Sequence, residues 1–135
     1  MRISMQMDIS DLVLDTEALE AAISEEIQTT AYKVERTAKE LCPVDTGTLR
    51  RSITTEGADL EYDVFTNVEY AIWMEYGTSP HKITGNNLLW WEGAVHPVHE
   101  VNHPGTRAYL YMTTAFDTHT DDLEARIARI IEDVL

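Results

Sequence analysis

The sequence predicts an α+β fold, and three observations predict it. Met1, Ile3, Met5, Met7 and Ile9 occupy every second position, which lines one face of an extended strand. Leu19, Ile23, Ile27, Ala31, Val34, Ala38 and Leu41 step by three or four residues, the spacing of one helical face. Tyr109, Met112, Phe116, Leu123, Ile127, Ile130 and Val134 carry that spacing to the C-terminal end, with His119-Thr120 as the place for a break.

The elements follow in order. After the opening strand, Asp15 or Thr16 is placed to cap the first helix, and Pro43 ends it, because its ring restricts the preceding residue and has no N–H to donate. Cys42, between Leu41 and Pro43, reads as a small apolar filler at that helix end. Ser52 to Glu56 and Leu60 to Thr66 read as strands joined by a turn at Gly57-Ala58-Asp59, with Leu60, Tyr62 and Val64 sharing a face. Tyr70 to Tyr76 fits a short helix with Tyr70, Trp73 and Met74 on one face and Gly77 closing it. Ser79 to Gly85 has loop composition. Leu88 to Trp91 and Ala94 to Val101 then read as two strands of an exposed hairpin around Glu92-Gly93, interrupted by Pro97 as at an edge or bulge. No internal repeat or linker divides the chain, so residues 1–135 are expected to form one domain.

Charge narrows the function. The chain holds 24 Asp and Glu against 10 Lys and Arg, a formal charge of −14. Phosphates are repelled by such a surface, and the only close cation pair, Arg50-Arg51, is far short of a phosphate-tracking stripe. Sequence-specific nucleic-acid binding is therefore not expected. Acidity of this degree suits a halophilic source, because at molar salt the screening length falls to about 3 Å and self-repulsion fades. An acidic mesophilic surface is the alternative. A single cysteine forms no internal disulfide. The start MRISMQMDIS has no apolar run of signal-peptide length and no stretch approaches a membrane span, so a soluble product outside the secretory route is expected.

Each chemical motif has a structural competitor. Asp45-Thr46-Gly47 matches the tripeptide with which aspartic proteases present a carboxylate, which requires apolar strands on both sides and a second copy. Here a helix and Cys42-Pro43 lead in and Leu49-Arg50-Arg51 lead out. The residues read better as a turn, with Asp45 accepting a backbone N–H two residues on, Gly47 at positive φ and Thr46 or Thr48 capping. His96, His99 and His103 invite a metal, yet 96 and 99 face opposite sides of a strand and Pro97 forbids a helix, so no metal is expected. Gly77-Thr78 and Gly105-Thr106 lack the lysine and glycine spacing of a phosphate loop and read as isolated turns. Trp73 reads as core or as an anchor on a partner. Trp90 and Trp91 are consecutive, so on a strand one of them must point away from the core toward another surface.

Three blocks together, PVDTGTLRRSI at 43–53, YAIWMEYGT at 70–78 and HPGTRAYLYMTTA at 103–115, resemble the tail-component family found in the neck of long-tailed phages. The resemblance runs from the first helix to about Ala115. It implies a long N-terminal helix packed on a twisted, mostly antiparallel sheet, with an extended hairpin and a C-terminal helix. It implies a homo-oligomeric ring, six copies matching tail symmetry, between the head connector or stopper protein and the tail terminator or tail tube protein, around the DNA channel. Such a protein is made in the host cytoplasm and carried in the virion, with no enzymatic activity, cofactor or membrane. Pro43, Asp45, Thr46, Gly47, Leu49, Arg50 and Ser52 match the family's motif turn. Contact candidates are the loop from Ser79 to Asn87 and the hairpin from Leu88 to Val101, which pair apolar residues with turn composition. Within and beside them they comprise Arg51, Glu75, Tyr76, Gly77, Leu88, Leu89, Trp90, Trp91, Val98, Val101, His103, Pro104 and Gly105. The nearest alternatives are a tail terminator or stopper ring. The alternative from another class is a homodimeric aspartic protease using Asp45.

Overall fold

The computed structural model describes residues 1–8, 17–44, 47–89 and 98–134. Its elements are β1 (Arg2–Gln6), α1 (Glu17–Leu41), α2 (Thr48–Ser52), β2 (Thr54–Ala58), β3 (Glu61–Phe65), α3 (Ala71–Tyr76), β4 (His81–Leu89), β5 (Val98–His103), α4 (Tyr111–Thr120) and α5 (Leu123–Val134). The α+β expectation holds.

The alternation in the opening residues is realised: Met1, Ile3, Met5 and Met7 are turned inward and Arg2, Ser4 and Gln6 outward, while Ile9 lies outside the described residues. β3 is the centre of an antiparallel three-stranded sheet in the order β1-β3-β2. Its Tyr62 and Val64 point down to α1, and its other face is tied by Arg2, which bonds Glu56 of β2 at 2.7 Å, pairs with Asp63 of β3 and lies 4.3 Å over the Phe65 ring. The Ser4 hydroxyl and the Arg2 guanidinium hold the Asp63 carboxyl below the usual carboxylate range.

α1 is the spine. It is about 37 Å long at 1.5 Å per residue, with Glu17 and Glu20 in its first turn and Lys39 in its last, signs that suit the helix dipole. Leu19, Ile23, Ile27, Ala31, Val34 and Ala38 are all buried, and α1 packs against the sheet, α4 and α5. Full burial of each large aliphatic side chain is worth about 1.5–3 kcal/mol. The caps expected at Asp15 or Thr16 lie outside the described residues. Leu41 was expected on the buried stripe but is 43 % exposed; the chain leaves the helix there, and Cys42 takes the inward position at 3 %.

α4 runs beside α1, and a break at Asp121-Asp122, next to the expected place, separates it from α5. The C-terminal stripe is thus carried by two helices. Arg126 of α5 fastens this pair to α1, bonding Glu26 at 2.5 Å and the His119 carbonyl at 2.6 Å. One core cluster runs from Met5 of β1 to Ile127 of α5.

Several boundaries differ from expectation. Residues 48–52 form α2 rather than the approach to a strand, because Leu49 alone needs burial and one helical turn delivers it. Gly57 and Ala58 belong to β2, so the turn falls at Asp59-Leu60, where Asp59 takes φ 55, a left-handed value that Asp tolerates. His81 to Asn87 is strand, not loop: β4 pairs with β5 in the register His81↔His103, Lys82↔Asn102, Ile83↔Val101 and Thr84↔Glu100, with an irregularity before Leu89↔Val98. The tip expected at Glu92-Gly93, with Trp90, Trp91, Ala94, His96 and Pro97, lies outside the described residues. Neither β4 nor β5 packs extensively on any other described element.

Candidate functional site

Most of the described residues of the motif turn are held by contacts within the chain. Pro43 is half-buried behind α1, Gly47 sits at φ 80 with the Arg51 guanidinium against it, and Leu49 is buried. The Ser52 hydroxyl lies 2.6 Å from both the Leu49 carbonyl and the hydroxyl of buried Thr66, locking the end of α2 to the end of β3. Arg50 is exposed, close enough to Cys42 for its charge to oppose the upward push that burial gives the thiol. Asp45 and Thr46 lie outside the described residues. The elements flanking them, α1 before and α2 after, are helices, whereas the protease arrangement needs strands.

α3 divides sharply into two faces. Inward are Ala71 and Glu75, four apart and both buried; outward are Ile72, Trp73 and Tyr76, 49 %, 56 % and 61 % exposed, with Tyr70 at 40 %. This corrects the sequence reading, which grouped Tyr70, Trp73 and Met74. The inner position goes to a carboxylate because α4 needs one. α4 begins at Leu110, whose φ of 50 and apolar side chain offer no cap. Glu75 serves instead: its two oxygens accept the Met112 and Thr113 backbone N–H groups at 2.8 Å each. A carboxylate at a helix N-terminus satisfies orphan donors and faces the positive end of the dipole. The joint continues through Tyr109 N–H to the Met74 carbonyl, Leu110 N–H to the Glu75 carbonyl and Tyr111 hydroxyl to the Ala71 carbonyl at 2.8 Å. Burial and the charge of Glu75 push the Tyr111 hydroxyl well above its ordinary value.

Beyond α3 the two Gly-Thr dipeptides, expected as isolated turns, meet. Thr78 and Thr106 exchange backbone hydrogen bonds at 2.8 and 3.1 Å. A Cβ on Gly77 would come within 2.6 Å of the Thr106 carbonyl and one on Gly105 within 2.4 Å of the Thr78 carbonyl, at φ 76 and 86. Only glycine permits this approach. Just above the clasp, the His81 and His103 rings stack 4.9 Å apart; Gly105 N–H donates to His103 Nδ1, and His81 Nδ1 meets the Ser79 carbonyl. Among the described residues no group of His, Cys, Asp and Glu is arranged to hold a metal ion.

The contact candidates therefore sort by position. Glu75 is buried at the joint of α3 with α4, while Gly77 and Gly105 are half-buried at the clasp. Tyr76, Pro104 and Arg51 are exposed and His103 is half-buried. Leu88, Leu89, Val98 and Val101 lie on β4 and β5, and Trp90 and Trp91 fall outside the described residues. Sequence reasoning missed Glu75 as a cap and the partnership of the clasp. The available signals were a lone carboxylate on an otherwise apolar short helix and a helix start at Leu110-Tyr111 with no capping residue.

Exposed apolar residues also follow the C-terminal end of α1. Leu41 and Val44, 43 % and 51 % exposed, follow α1 where Cys42 approaches Tyr111, and Tyr111 in turn holds α3. The opposite end of α1 has Glu17, Glu20 and Glu25, which with Asp59 line an open depression. No described helix is long and apolar enough to cross a membrane.

Residues 11–77, from the segment before α1 through the end of α3, match the family described as "Bacteriophage HK97-gp10, putative tail-component". The match stops at Gly77, so the expected third block at 103–115 lies beyond it. No curated protein and no solved structure matches the chain.

Proposed function

We propose that the protein is a structural part of a tailed-phage virion and acts at its neck; the match of residues 11–77 to the phage tail-component family supports this reading. In this reading copies of the chain form a ring, six to match tail symmetry, that joins the head connector to the tail tube around the DNA channel. The chain works as one domain, which its continuous core from Met5 to Ile127 supports. It performs no reaction.

The observation that carries the reading is the outer face of α3. Ile72, Trp73 and Tyr76 are each about half exposed or more on a helix whose inner face is fixed by Glu75. A contiguous apolar patch on a rigid element marks a contact with another protein. The β4–β5 hairpin, which among the described residues packs on little besides itself, is a second element suited to order on a neighbour. A net charge of −14 suits a part that DNA must slide past without sticking.

Imaging intact particles tests the proposal. Density for this chain is expected as a ring at the head–tail joint; finding it in the tail tube or tip, or missing from mature particles, overturns the neck assignment.

A further inference from the structure

Charge along α1 is divided by length. Residues 17–28 hold Glu17, Glu20, Glu25 and Glu26, the last paired with Arg126, and no cation of their own; residues 33–51 hold Lys33, Arg36, Lys39, Arg50 and Arg51, half of the chain's 10 cations, against three carboxyls. The positive stretch runs from Lys33 and Arg36, near His119, to the C-terminal end of α1, where Leu41 and Val44 are exposed and Cys42 approaches Tyr111, which bonds the Ala71 carbonyl of α3. The negative stretch, with Asp59 of the β2–β3 turn, surrounds an open depression that no cation lines.

Distance makes this division usable. Glu20 and Arg36 are sixteen residues apart, about 24 Å along a helix. At physiological ionic strength the screening length is about 8 Å. Each end therefore acts on what it touches with little influence from the other, even in a chain of −14. A contact that sets positive end on positive end, or negative on negative, is repulsive, whereas an antiparallel twofold pair matches each positive end with the partner's negative one. Unlike ends attract, and of the two ways to bring them together the ring reading selects the head-to-tail one, which generates rings when its rotation closes.

We propose that the outer face of α3, with the positive end of α1 beside it, docks the acidic end of α1 from a second copy of this chain. The apolar residues supply burial and the charges supply orientation. This contact rests on the ring reading above and specifies the surfaces that make it.

The test is sedimentation of the full chain over a range of concentrations at physiological ionic strength. Wild type is expected to assemble beyond the monomer. R36E with R50E, which reverses the positive end, and E20K with E25K, which reverses the negative end, are each expected to remain monomeric; all four residues are exposed. Mixed one to one, the two variants regain two attractive contacts and reassemble at least tenfold more tightly than either alone. That rescue also shows that both are folded. W73S in the wild-type background weakens assembly at least tenfold.

Assembly that survives either reversal, or a mixture that stays monomeric, overturns this contact and leaves the ring reading standing. Wild type that is monomeric at every concentration overturns contact and ring together. Density away from the neck overturns only the neck assignment.

Discussion

The β2–β3 and β4–β5 hairpins are both antiparallel pairs, yet they are held by different means. β2–β3 has β1 completing its sheet and α1 beneath it, with Tyr62 and Val64 buried in that contact. β4–β5 has its own ladder, an exposed Lys82–Glu100 ion pair at 2.7 Å, and a base made of stacked histidines above the Gly-Thr clasp. A two-stranded hairpin alone is marginally stable in water. The difference teaches that one hairpin belongs to the body, whereas the other is anchored at its root and, among the described residues, packs on little else.

Amide hydrogen exchange measures the contrast directly. Amides of β3 are expected to exchange only through global unfolding, and those of β4 and β5 at least a hundredfold faster through local opening. Equal protection of the two hairpins would erase the distinction. The next effect lies at the joint that carries the second hairpin: E75A leaves the Met112 and Thr113 N–H groups unsatisfied and is expected to cost about 2–5 kcal/mol in urea unfolding. E75Q, which keeps one acceptor oxygen, should cost roughly half as much.

G77A sharpens the comparison further down the scale. Its Cβ meets a backbone oxygen at 2.6 Å, so a loss of about 1–3 kcal/mol is expected, together with faster exchange in β4 and β5 and little change in β3. K82A removes an ion pair whose side chains are 61 % and 49 % exposed and should change stability by no more than about 0.5 kcal/mol. The smallest effect is a pH dependence in the body. Burial first, then the charges of Lys33, Arg36 and Arg126, hold His119 below its ordinary value of 6.5. A depressed histidine contributes stability that is whole above the unfolded value and lost as pH falls through the folded one. The unfolding midpoint should therefore drop slightly more between pH 7.5 and 5 for wild type than for H119Q.

What could be read from the sequence follows from the range over which each interaction acts. The α1 stripe and the alternation in β1 were legible because a packed face imposes a period on neighbouring residues. α2 was not, since a five-residue helix with Leu49 as its one buried residue shows no period. The start of β4 looked like loop because HKITG shows no alternation of apolar residues, and its described side chains, His81 and Lys82, are exposed. Glu75 was read as a surface residue because its partners are backbone N–H groups 37 and 38 positions away, which no side-chain pattern announces. The two Gly-Thr pairs were seen and misjudged for the same reason: what joins them is main chain. The positive φ of Gly47 was correctly expected because a local turn demanded it.

Cys42 gives the protein a reporter of its own. It is the only thiol in the chain, 3 % exposed, with its acidity weakened by burial, and it sits where α1 gives way to the motif turn. A thiol reagent added to the native protein meets almost no reactive sulfur until that seam parts. The rate of labelling then counts openings of the spine, with no engineered probe, in the free subunit and in the assembled particle alike.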